Sequence, residues 1–363
     1  MKYKKSVLVG MSGGVDSTVA SFLLKEKGFR VEGIFFQFFN EDDSLEIKRD
    51  NVLNSGFSST SRVRMIAEKL DIPFYKIDYQ KEFREIVIDD FIRQYQGGMT
   101  PNPCIICNEK VKFNLLLSYA LKNNIEYIAT GHYAQVEKDW DQKQFFLKRG
   151  LDTKKDQSYF LYRLDQNILS KSLFPLGRLT KKGVEKIALE IGLETHRIKE
   201  SQEICFINEG NYQKFIENNR REENKPGYFL DTSGNKLGKH KGIAFYTIGQ
   251  RKKIGLSSNT RKYIIRINVE DNTIIIGNET DLYQRAFKIE KVHFISIDPI
   301  SRPIKLQVQI RYNTHPAYAK VFPDQENRLN VFFDKPQKAI TPGQSAVFYK
   351  KDNVIGGGII SNL

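Results

Sequence analysis

The chain has 363 residues, 40% of them hydrophobic, 28% charged, with a formal net charge of +14. That length exceeds one average domain, and that composition excludes intrinsic disorder. No apolar run approaches the roughly 20 residues of a membrane-crossing helix, and 3 cysteines are too few for a disulfide-stapled secreted scaffold.

The opening "MKYKKSVLVGMSGG" pairs lysines with a short apolar run, as an export signal does. The run is too short and leads straight into a glycine-rich loop, so it reads as a buried strand. Without an export signal, the expected compartment is the reducing cytoplasm. The next apolar runs, "VEGIFFQFF", "IPFYKID" and "IEYIATGHY", read as further strands. Between them lie helical patterns over Val15–Lys27 (closed by Gly28), Ser61–Leu70, Lys81–Gln94 and Glu109–Lys122. Apolar strands alternating with helices predict an α/β fold with a doubly wound parallel sheet, its ligand at the carboxyl ends of the strands. The polar stretch Asn40–Ser61 has no clear period and reads as a mobile loop near that ligand.

After Phe206 the texture changes. Residues 226–280 carry many glycines in short alternating segments, and from about residue 282 every segment reads as strand. Short, regularly spaced strands predict a β-barrel. The expected domains are therefore 1–208, α/β; 209–281, small and β-rich; and 282–363, a C-terminal barrel. Net charge is +4 over residues 1–208 and +10 over 209–363. The excess fits a polyanionic partner, most simply nucleic acid; a generic basic surface fits charge alone equally well.

"GMSGGVDS", Gly10–Ser17, follows a strand and opens a helix. The backbone amides of Ser12, Gly13 and Gly14 suit a phosphate at a helix N-terminus. The spacing is neither a Walker A loop nor a dinucleotide fingerprint. A tight βα turn needs no such order of Ser, Gly, Asp and Ser.

Two of the 3 cysteines, Cys104 and Cys107, share one short loop in "TPNPCIICNEKVKF". The third, Cys205, lies in "SQEICFIN". In a reducing compartment such a pair is redox-active, catalytic or metal-binding rather than a structural disulfide. Taken singly, each cysteine reads equally well as a small buried hydrophobe.

These stretches carry a resemblance. Ser12-Gly13-Gly14-Val15-Asp16-Ser17 resembles the pyrophosphate loop of the N-type ATP pyrophosphatases, which cleave ATP between its α and β phosphates and adenylate a carbonyl oxygen. "TPNPCIICNEKVKF", "ATGHYA", "LDTKKDQSYFLY", "SQEICFI" and "YTIGQRKKIG", in that order, narrow it to the tRNA-specific 2-thiouridylase family. That family replaces the 2-oxygen of the wobble uridine, position 34, with sulfur, and the resemblance spans nearly the whole chain.

The resemblance implies ATP with Mg²⁺ at Gly10, Met11, Ser12, Gly13, Gly14, Val15, Asp16, Ser17, Phe36 and Gly131. It implies Cys205 as the persulfide carrier and Cys107 as the nucleophile. It places tRNA against Asn102, Pro103, Cys104, His132, Lys155, Asp156, Gln157, Arg311, Tyr312 and Gln344. The tRNAs implied are those for Lys, Glu and Gln, and the sulfur donor is a cysteine desulfurase or a persulfide carrier. Asp156 also reads as a simple helix cap, and "RKKIG", Arg251–Gly255, as a phosphate contact or a solvated turn.

One position departs from the commoner pattern. Many members have an aspartate where Cys104 stands. With Cys104, Cys107 and Cys205, an alternative is a [4Fe–4S] cluster on three thiolates; zinc lacks an obvious fourth ligand. Two other classes stay open: an amide-forming ligase with the same loop, and an RNA-binding protein with an inactive nucleotide fold.

Overall fold

The computed structural model describes residues 5–39, 59–141, 143–193, 204–207, 211–219, 225–256, 261–295, 299–324 and 327–361. The chain forms two compact units. One comprises Met1–Val87, Cys104–Asn208 and Asp352–Val354; the other comprises Ile88–Pro103, Glu209–Lys351 and Ile355–Leu363.

The first unit holds a five-stranded sheet. Its strands are β1 (Lys5–Gly10), β2 (Phe29–Gln37), β3 (Phe74–Asp78), β4 (Tyr127–Ala129) and β7 (Ser172–Leu173), in the order β3-β2-β1-β4-β7. Every pairing is parallel. The order reverses between β1 and β4, so the crevice at their carboxyl ends is the ligand position of such a sheet. Val7, Leu8 and Val9 are wholly buried, because a parallel sheet is covered on both faces. Val7 and Val9 pack with Val63, Ile66 and Ala67 of the helix Ser59–Lys69. The helix Val15–Glu26 buries Val15, Val19 and Ala20 against Val184 and Ala188 of the helix Lys181–Glu190.

Three details differ from the sequence reading. "IEYIATGHY" yields only the three-residue strand β4, so His132 lies beyond the strand rather than at its end. A hairpin, β5 (Ala134–Asp139) and β6 (Gln144–Arg149), follows it, and β6 pairs with Asn353 and Val354. Helix begins not at Glu109 but at Pro103, and runs as Pro103–Ile106, a π-helical stretch Cys107–Phe113 and Asn114–Lys122. Proline suits a first helical position, where its missing N–H would have no partner. The cysteine pair therefore sits in helix, not in a loop. Residues 40–58 of the expected mobile loop lie outside the described residues, and the helix Ser59–Lys69 already takes in its last three.

The second unit is β-rich. β8 (Gly227–Leu230), β9 (Lys236–His240), β10 (Tyr263–Asn268) and β11 (Thr273–Gly277) make a four-stranded sheet in the order β10-β11-β8-β9. The barrel consists of β12 (Tyr283–Phe294), β13 (Ile304–Gln309), β14 (Ala317–Pro323), β15 (Arg328–Lys338), β16 (Ser345–Lys350) and β17 (Asn353–Ile360). β12 pairs with β15 along its first part and with β17 along its second, which closes the cylinder. Register shifts between Gln284 and Ala286 and between Glu290 and His293 bend this long strand, as bulges do at barrel corners. Phe287, Leu306, Val321, Val331, Phe333 and Phe348 fill the interior. The helix Asp89–Gln96 belongs here too: Tyr95 stacks on Tyr212 with ring centroids 4.8 Å apart.

Candidate active site

The nucleotide loop sits where β1 ends. Gly13 adopts φ 75°, open to glycine without strain, and a Cβ there would meet Val63 Cγ2 at 3.1 Å. Gly14 opens the helix with an extended backbone and no side chain caps it. Instead the hydroxyls turn inward: Ser17 Oγ donates to the Gly14 carbonyl at 3.2 Å and accepts from the Ser12 N–H at 3.2 Å, and Thr18 Oγ1 donates to Gly14 at 2.9 Å. The Gly14 N–H donates to Ser12 Oγ at 3.4 Å, so of the three amides the sequence offers a phosphate, those of Ser12 and Gly14 bond the loop's own hydroxyls in this structure. The loop is thus braced from inside while the first amides of the helix itself keep no side-chain cap, the arrangement that accepts an anion.

Gly10 and Met11 belong to the floor. Met11 is buried, and its N–H donates to the Ile34 carbonyl at 2.8 Å. Gly131 lies across the crevice. A Cβ there would come within 2.7 Å of the Asp16 carbonyl carbon and 2.8 Å of the Ser17 nitrogen, so only glycine permits this approach. Phe36, on β2, is buried and stacks on Phe38 at 6.3 Å; Phe38 stacks on Phe83 at 4.4 Å. Phe83 then meets Phe206, the neighbour of Cys205, edge-on at 6.2 Å.

Asp16 has partners that the sequence did not disclose. Its Oδ1 accepts from the Lys181 ammonium at 2.8 Å and from the Tyr133 hydroxyl at 2.8 Å.

The three cysteines gather in the same unit. Cys107 is buried, Cys104 partly buried and Cys205 exposed, and none forms a disulfide. Cys104 and Cys107 are three apart in helix, so they share a face. Lys112 is five beyond Cys107, and π-winding, with its i→i+5 bonds, sets residues five apart over one another. Burial pushes the Cys107 thiol up to about 12 against the opposing pull of the Lys112 ammonium. Burial, and then the Cys205 sulfur, push Cys104 up to about 11. Lys112 feels all three sulfurs, and they hold its proton although burial works against it. Lys112 is a site residue that sequence reading missed; only the π-turn reveals it.

Among the described residues, no three or more His, Cys, Asp or Glu side chains are arranged to hold a metal ion.

His132 is partly buried beside Phe113 and Phe174, and its Nδ1 lies 2.8 Å from Thr130 Oγ1. Burial, then the Lys112 charge, push it down to about 3, so the ring is neutral. Gln157 locks the next residue in place: its Oε1 accepts from the Tyr133 N–H at 3.0 Å, and its own N–H donates to the Tyr133 carbonyl at 2.9 Å. Asp156 is buried and closes its own turn, accepting from the Gly150 and Ser158 amides at 3.0 Å each and from Ser158 Oγ at 3.0 Å. The short helix that follows, Ser158–Leu161, starts from Gln157 without a side-chain cap, so Asp156 braces the turn ahead of it rather than capping it. Lys155 is partly buried nearby.

In the second unit, Gln344 Nε2 donates to the Thr100 carbonyl at 2.8 Å, and the Thr100 N–H donates to the Pro342 carbonyl at 2.8 Å. Gly343, at φ 88°, allows this approach, since a Cβ would fall 2.8 Å from the Thr100 nitrogen. Gln344 therefore clamps the segment that leads through Asn102 and Pro103 to Cys104. Arg311 also faces inward: its Nη2 donates to the carbonyls of Ile248 and Ala339 and to Thr341 Oγ1. Tyr312 is partly buried, and its carbonyl accepts from Gln309 Nε2 at 2.8 Å.

A parallel α/β unit with a nucleotide loop at its switch point, joined in one chain to a closed β-barrel, defines the class. Comparison with known families gives three matches: "tRNA methyl transferase HUP domain" over residues 5–209, "tRNA methyl transferase PRC-barrel domain" over 213–278, and "Aminomethyltransferase beta-barrel domain" over 284–360. The chain is 45% identical over 360 residues to the tRNA-specific 2-thiouridylase MnmA of Acetivibrio thermocellus, covering 98% of this chain and 99% of that one. It is 44% identical over 360 residues to the Clostridium perfringens protein of the same name, with 99% of each covered, and 43% identical over 363 residues to that of Clostridioides difficile, also with 99% of each covered. The chain belongs to the tRNA-specific 2-thiouridylase family.

Proposed function

We propose that the chain is an ATP-dependent tRNA sulfurtransferase that forms 2-thiouridine at position 34, working in the cytoplasm. The observation that carries this is the presence, in one compact unit, of an open nucleotide loop and three cysteine sulfurs gathered around one lysine. In this reading residues 1–208 are catalytic, 209–281 form a small central domain, and 282–363 bind tRNA.

The uridine 2-oxygen attacks the α-phosphorus of ATP. Pyrophosphate leaves, and the oxygen becomes part of an AMP ester, with Mg²⁺ offsetting phosphate charge. Cys205 carries a persulfide loaded by a cysteine desulfurase or a sulfur carrier. Cys107 gives up its thiol proton to solvent, and the resulting thiolate attacks the inner sulfur of that persulfide. A Cys107–Cys205 disulfide forms and hydrosulfide leaves with the electron pair. Hydrosulfide adds to C2, AMP departs with the C–O electrons, and a proton goes to solvent, leaving C=S. A thiol reductant then returns the disulfide to two thiols. The target base must leave its stack to react, and Asn102, Pro103 and Cys104 border its pocket in this reading.

The test is turnover of ATP to AMP with unmodified tRNA for Lys, Glu or Gln, a desulfurase and cysteine, with mass analysis of the nucleosides. The expected result is tRNA-stimulated AMP together with 2-thiouridine, both lost in Asp16→Ala. AMP without thionucleoside would instead indicate a ligase of the same loop class. Cys107→Ser and Cys205→Ser abolish thiolation, whereas Cys104→Asp retains it. About four irons per chain after anaerobic purification, with an inactive Cys104→Ser, would overturn the persulfide route.

A further inference from the structure

Asp16 poses an electrostatic difficulty. It is the second residue of the helix whose uncapped start is the proposed phosphate site, and a carboxylate there repels a polyphosphate. The structure answers with a residue 165 positions away. Lys181 is the first residue of the helix Lys181–Glu190, which Thr180 caps by accepting from the Gly183 N–H at 3.2 Å. Its backbone N–H donates to Asp152 Oδ2 at 3.0 Å, which fixes the base of the side chain. Its side chain is only 15% exposed, and its ammonium meets Asp16 Oδ1 at 2.8 Å. That same oxygen takes the Tyr133 hydroxyl at 2.8 Å, and the ammonium lies 5.9 Å from the centre of the Tyr133 ring. Tyr133 is itself fastened at both backbone atoms by Gln157.

The consequence is a carboxylate engaged at one oxygen only. Among the described residues, Asp16 Oδ2 makes no hydrogen bond, and the carboxylate is 29% exposed. We propose that Lys181 is the positioning residue of the nucleotide site: paired with Asp16, it cancels the carboxylate's charge toward the β- and γ-phosphates and turns Oδ2 toward the cation those phosphates carry. This rests on the ATP reading above. The packing of the two helices, Val19 against Val184, makes the pairing rigid.

Calorimetric titrations of the full chain with Mg·ATP, Mg·pyrophosphate and AMP separate the possibilities. Binding of Mg·ATP by the unaltered chain tests the ATP reading by itself, and its absence would remove both ideas. Given that binding, Lys181→Met weakens Mg·ATP and Mg·pyrophosphate by about tenfold to a hundredfold, as loss of one partner of a buried charge pair does, and leaves AMP within about twofold. Lys181→Arg recovers most of the lost affinity. Equal losses for AMP and ATP, or none for either, would overturn the assignment. Should Lys181→Met fold poorly by thermal melting, Tyr133→Phe, which removes the other donor to Asp16 Oδ1, carries the same comparison.

Discussion

At the scale of single residues, the cysteines make a sharp prediction about pH. Burial outweighs the Lys112 ammonium, so Cys107 is a thiol at neutral pH in this state. A thiol raised in the folded chain binds its proton more tightly folded than unfolded. Its contribution to stability is complete below the ordinary value of 9.0 and is lost as pH rises through about 12. Lys112 is raised too, and its loss runs in the same direction, so the comparison must remove Cys107 alone. Between pH 8 and 11 the unaltered chain therefore loses about 1–3 kcal/mol more than Cys107→Ser, read from urea midpoints. Parallel curves would show that the thiol is not protonated by its surroundings. The sequence names the cysteines through their motifs but not Lys112 or Lys181. Lys112 joins them only because the helix is π-wound at Cys107–Phe113, and Lys181 reaches Asp16 from a distant helix. Gln344, Asp156 and Arg311 show the converse: their side chains spend their hydrogen bonds on the protein's own backbone and side chains. Alanine at Arg311 would take the donor from the Ile248 carbonyl and leave that of Ala339 with Thr341 Oγ1 alone, so it tests the barrel's integrity as much as RNA contact.

At the scale of elements, the parallel sheet was legible because its strands are unbroken apolar runs, and the helix Val15–Glu26 because Gly28 ends it at φ 80°. The hairpin β5–β6 was not, since "AQVEKD" and "QFFLKR" are polar enough to resemble loop. The start of the cysteine helix at Pro103 was hidden by the two prolines, which favour a turn as readily as a first helical residue. The junction that matters most is β4 against the nucleotide helix. Gly131 stands where a methyl group would press on the Asp16 carbonyl carbon at 2.7 Å, and backbone there has nowhere to go. Gly131→Ala therefore shifts the helix start. It costs about 1–3 kcal/mol in stability, as overpacking does, and weakens Mg·ATP by about tenfold or more. Thermal melting and calorimetry on the same sample check both. A normal ATP affinity would mean that the crevice between β1 and β4 is not where the nucleotide lies.

At the scale of the whole molecule, the sequence divides the chain by texture, whereas the fold divides it by contact. Ile88–Pro103 belongs with the β-rich unit, although it lies inside the α/β half of the sequence. No local pattern announces that, because its partners, such as Tyr212, Thr247 and Gln344, are more than a hundred residues on. The charge asymmetry, by contrast, needs no fold to be seen: +10 of the total +14 falls in residues 209–363. If that excess meets tRNA phosphates, affinity falls steeply with salt as counterions are released. Arg251, Lys252 and Lys253 are the place to test it, since all three are exposed. Lys253 sits at φ 61°, so its neutral replacement is asparagine, which tolerates that backbone; glutamine serves at the other two. The triple variant lowers the slope of log affinity against log salt by about 3, one for each phosphate no longer neutralised, with ATP binding unchanged. Filter binding between about 50 and 200 mM salt reads it directly. An unaltered slope would make "RKKIG" a solvated turn and move the phosphate contacts to the barrel's other cations.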